Sequence, residues 1–163
     1  MTPMTPRRAL VLGGLAVATL DILAAIMLAG LRGVAPSRVL QHIASGAVGP
    51  HAFTGGIGSA LLGLALHFVV AFGVVATYHA AARVMPELAR HPLRFGPIYG
   101  IVVYSVMQAI VVPLSAVPTR EPTVRGILTG LAVHILCVGI PAALSARAAQ
   151  LQAHPAPATT GLP

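Results

Sequence analysis

Apolar residues in this chain fall in long runs and do not alternate with polar ones. Four runs, near 9–31, 57–82, 95–116 and 125–146, exceed the about 20 helical residues that cross a bilayer. They predict four helices. The second connection, "RVMPELARHPLR" at 83–94, and the third, "SAVPTREPTVR" at 115–125, are polar and broken by proline. The first is longer and changes pattern. In "PSRVLQHIASGAVG", Pro36 suits a first helical turn and Gly46 suits a stop. Val39, Leu40, Ile43 and Ala47 recur on one face. A short helix lying in the outer interface is expected there. The predicted fold is an all-α integral membrane bundle of four transmembrane helices with one interfacial helix in the first loop. Residues 1–8 and the proline- and alanine-rich tail 148–163 are expected to be disordered, leaving 9–147 as one domain. The first run is longer than a signal-peptide core and is interrupted by Asp21, so it reads as an uncleaved helix.

The polar residues inside these runs carry the chemistry. A central Asp costs roughly 2.5–3.5 kcal/mol to insert, so such a group is expected to face the bundle interior and find a partner. Asp21 lies near the middle of the first run, His67 of the second, Tyr104 and Gln108 of the third, and His134 of the fourth. Small residues precede them at helical spacing: Gly14 and Ala18 before Asp21, Ser59 and Gly63 before His67, Gly96 and Gly100 before Tyr104, Gly126 and Gly130 before His134. Positions four apart share a face, and small residues let helices approach closely in lipid. A buried cluster of Asp21, His67, Tyr104, Gln108 and His134 follows as an expectation. Both histidines end the same kind of word, "GLALH" at 63–67 and "GLAVH" at 130–134, which would make two equivalent hairpins related by an axis along the membrane normal.

Composition agrees with the pattern. The chain is 56% hydrophobic and 8% charged, far from the roughly 25% charged of soluble domains. All ten basic residues are arginine, and the net charge is +7. The arginines are scattered at the ends of the runs, which excludes a nucleic-acid surface and reads as topology signalling. Arg7, Arg8, Arg83, Arg90, Arg94 and Arg147 fall on one side and Arg32, Arg38, Arg120 and Arg125 on the other. The bias places both termini in the cytoplasm of a multi-pass protein. The lone Cys137 excludes an internal disulfide.

Three stretches, "LHFVVAFGVVATYHAAARVMP", "VPLSAVP" and "GLAVHIL", resemble the YagU-like bacterial inner-membrane proteins over less than half of the chain. The resemblance implies a small four-helix inner-membrane protein with His67 and His134 at shared positions and a link to acid tolerance. It implies no reaction.

The cluster admits several roles. Its members would cross-link helices by hydrogen bonds worth about 0.6 kcal/mol on average. Alternatively they bind or relay protons, since histidine changes charge near neutral pH. Tyr78 and His79 would extend such a path, with Tyr78 equally suited to an interfacial anchor. A chain this small would need to form a homo-oligomer to move anything larger. A third reading is a redox protein with haem b held by His67 and His134, because bundle cores build cofactor sites from facing helices. A metal held by His134 and Cys137 is weaker, since a closed site takes about four ligands. No carboxylate pair supports hydrolysis: Glu87 and Glu121 lie in opposite loops.

Overall fold

The computed structural model describes residues 5–117 and 123–153. Expectations that fall on 1–4, 118–122 and 154–163 lie outside the described residues. Four helices are long and apolar enough to cross a membrane: α1 (Pro6–Gly30), α3 (Gly56–Val84), α5 (Pro92–Leu114) and α6 (Val124–Leu151). The helix α2 (Pro36–Val48) and a 3-10 turn (Gly49–Phe53) occupy the first loop, and a single turn α4 (Glu87–Arg90) the second.

The helix ends follow local chemistry. Thr5 caps α1 by accepting from the Arg8 amide at 3.2 Å, with Pro6 in the first turn. Arg7 and Arg8 are therefore helical, and the first helix starts earlier than the sequence pattern places it. Thr123 caps α6 in the same way through the Gly126 amide. At the other end the helix continues to Ala153, so residues 148–153 are not the irregular tail expected of them.

Alanines fill much of the core, beside Val17, Val75 and Tyr78, while many leucines face outward. Ala18, Ala71, Ala82, Ala142, Ala143 and Ala146 are buried in the core, while Leu12, Leu20, Leu23, Val69, Ile101, Val102, Leu128 and Leu136 are exposed. Helices in lipid pack this way, because close backbone approach, and not withdrawal of leucine from water, drives their association. α1 packs against both α3 and α6, and α5 packs against α6. α3 and α5 scarcely touch along their backbones. They are clasped at one level, where the Tyr99 hydroxyl donates to the Val74 carbonyl at 2.7 Å and the Tyr78 and Tyr99 rings meet edge to face.

The glycines expected to mediate packing divide into groups. A Cβ on Gly14 would lie 2.7 Å from the Phe72 ring, one on Gly96 2.9 Å from Ile140 Cα, and one on Gly100 2.6 Å from the His134 carbonyl oxygen. A Cβ on Gly130 would lie 2.5 Å from the Tyr104 ring. Gly63 instead receives α2, against the Leu40 carbonyl. Gly126 is exposed and approached only by its own cap, Thr123, so it packs against no other helix. α2 itself buries Gln41, Ala44 and Ser45, while Ala47, expected on its apolar face, is exposed. The Gln41 side chain donates to the Gly56 carbonyl at 3.1 Å. That bond turns the polar residue inward, toward the start of α3.

Two turns depart from α geometry, Met107–Val111 in α5 and His134–Gly139 in α6. Both are π turns, and each stands one turn before a proline, Pro113 or Pro141. A proline ring clashes with the carbonyl four residues earlier and offers that carbonyl no N–H. Here those carbonyls belong to Ala109 and Cys137, inside the widened turns. Pro141 is thus well inside α6 and not near its end.

Candidate functional site

All four long helices line a cavity of about 70 Å³, with Val17 and Asp21 from α1, His67 and Val74 from α3, Met107 from α5 and His134 from α6 among its walls. The space is large enough to admit water. It lies at the level where α3 and α5 stand apart, with the tyrosine clasp toward the C-terminal end of α3.

Asp21 and His67 form its polar wall. His67 Nε2 is 2.8 Å from the Ala18 carbonyl oxygen on α1. A carbonyl can only accept, so Nε2 carries the hydrogen and donates it. The other nitrogen, Nδ1, faces Asp21 Oδ2 at 4.0 Å. With a neutral ring and an ionised carboxylate, two acceptors would face each other in a partly buried setting. A water donating to both, or one proton on Nδ1 or on the carboxyl, would satisfy the pair. The side chains are 12% and 23% exposed, so water cannot fully screen it.

His134 differs. Its Nδ1 donates at 2.9 Å to the Gly130 carbonyl of its own helix, and the Tyr104 ring meets it edge on, with centroids 5.3 Å apart. The two five-residue words are therefore not equivalent. Gly63 and His67 reach α2 and α1, whereas Gly130 and His134 both meet Tyr104 on α5. Of the five residues expected to cluster, Asp21, His67 and His134 share the cavity and Tyr104 touches His134. Gln108 is exposed outside it, and Met107 takes the inward place. The π turn after Val106 breaks the four-residue register on which the expectation for Gln108 depended.

Neither cofactor alternative fits this geometry. Small-molecule pockets occupy about 300–1,000 Å³, and haem would have to part α3 from α6 to stand between His67 and His134. His67 Nε2, an axial-ligand atom, is already committed to Ala18. Among the described residues no three His, Cys, Asp or Glu side chains converge on a common metal position, so His134 and Cys137 gain no further ligand.

A second polar site lies toward the chain termini. The Ser145 hydroxyl donates to the Ala142 carbonyl at 2.8 Å and accepts from His79 Nε2 at 2.8 Å. The Gln150 amide donates to the Ala82 carbonyl at 2.9 Å. Between the two sites stand Val75 and Ala142, both fully buried. Tyr78 is also buried, with its hydroxyl donating to the Leu88 carbonyl, so it is not an interfacial anchor. Sequence reasoning missed Ser145, Tyr99 and Met107, along with Gly139, which abuts Gly96 and Gly100. Pro113 and Pro141 inside apolar runs were the available signal for Met107 and Gly139. Nothing comparable marks Ser145 or Tyr99. No protein-family model, curated protein or solved structure matches the chain.

Proposed function

We propose that this is a bacterial inner-membrane protein of four spans, with both termini cytoplasmic, whose Asp21–His67 pair binds a proton inside the bundle and so responds to pH. The YagU-like resemblance and its link to acid tolerance belong to the same reading. One observation carries it: with the Nε2 hydrogen committed to Ala18, Nδ1 faces the Asp21 carboxyl at 4.0 Å, a gap that a shared proton or a bridging water would close. The outward leucines and inward alanines support the membrane setting. A sensor is favoured over a conduit because Val75 and Ala142 fill the space between the two polar sites.

The test is a titration of ¹⁵N-histidine NMR signals, using the full chain in lipid nanodiscs. The His67 signal is assigned by its absence in His67→Gln. It should change protonation within about pH 5–8, and its curve should move in Asp21→Asn. A His67 curve that is the same in both proteins, or flat over that range, would leave the pair as helix cross-links only.

A further inference from the structure

We propose that the second cavity, away from the Asp21–His67 pair, is a binding site for a phosphate group, supplied by the headgroup of an anionic lipid or by free phosphate. The cavity measures about 190 Å³, several times the room one water needs, and is lined by Pro6, His79, Arg83, Ala146 and Gln150 among others. Its chemistry is basic. Arg83, in the last turn of α3, has no hydrogen bond or ion pair to another described residue. Among the described residues the one acid at this end, Glu87, is already engaged by Arg90 at 2.6 Å and His91 at 3.3 Å. The same end collects Arg7, Arg8, Arg94 and Arg147. A guanidinium without a carboxylate partner, beside a cavity, matches the oxygens of a phosphate.

Two of the wall residues are fixed by the protein's own bonds. His79 is 6% exposed and fixed by Ser145, and Gln150 is fixed by Ala82. These contacts tie α3 to α6 on one side while the start of α1 closes another. Neither depends on a ligand to form. With the four long helices read as membrane spans, the cavity stands at the headgroup level, where basic pockets between helices recognise lipid phosphates.

The experiment measures binding by thermal shift of the purified full chain in neutral detergent. The probes are short-chain phosphatidylglycerol, short-chain phosphatidylcholine and inorganic phosphate. The variants are Arg83→Gln and, as a control at the opposite end, Arg125→Gln. The expected result is phosphatidylglycerol binding that weakens about fivefold in Arg83→Gln and is unchanged in Arg125→Gln. Inorganic phosphate saturating the protein with the same Arg83 dependence would identify free phosphate as the ligand of the same site. Phosphatidylcholine binding as tightly as phosphatidylglycerol would overturn the proposal. So would equal losses in both variants, or no binding of any probe. Arg83 is exposed, so its variant should keep the fold, which circular dichroism checks.

Discussion

Two histidines with the same neighbours in sequence have different structural worth. His67 ties α3 to α1 through Ala18, whereas His134 returns its hydrogen bond to its own helix. His67→Ala should therefore destabilise the bundle more than His134→Ala. The difference should be of the order of an interhelical hydrogen bond, about 0.6 kcal/mol and at most roughly 1.7, read by unfolding in mixed micelles. Glycine sites divide just as sharply. A methyl on Gly100 would strike the His134 carbonyl oxygen, which belongs to backbone and cannot rotate away. Gly100→Ala should cost about 1–3 kcal/mol. Gly126→Ala meets no other helix and should be neutral or stabilising, by up to about 1 kcal/mol. Equal effects at the two positions would contradict the observed packing. The sequence marks both glycines alike, because spacing reveals a shared face but not what stands opposite it.

At the scale of elements, the four long helices were legible because apolar length is a strong signal. Their ends were less so. Thr5 and Pro6 begin α1 inside a stretch that composition alone assigns to disorder. The register within α5 was not legible either. A spacing of four assumes unbroken α geometry, and Pro113 removes that assumption by widening the turn before it. The consequence is testable with single cysteines in a Cys137→Ser background. A spin label on Gln108→Cys should be relaxed strongly by lipid-soluble oxygen, and one on Met107→Cys should be shielded from it. In Pro113→Ala the turn is free to close to α geometry, which should narrow or reverse that contrast. α2 shows the same limit from the other side. Its apolar face was readable, yet Gln41 is buried because the Gly56 carbonyl awaits it across the loop.

For the molecule as a whole, the proposed four spans would put both termini on one side. Cysteines introduced at Thr5 and at Ala153 should both be shielded from an impermeant reagent in intact cells and both react after lysis. Opposite accessibility would mean that one long helix does not cross. The packing order has a further consequence, for biosynthesis. The chain emerges N-terminus first, yet α1 rests on α6, with Gly13 against Ser145. That contact of the first long helix therefore waits until the fourth has been made. A nascent protein halted after α5 would leave the Gly13 flank of α1 uncovered. The fourth long helix thus decides whether the first is fully packed, and a protein made without it should be short-lived.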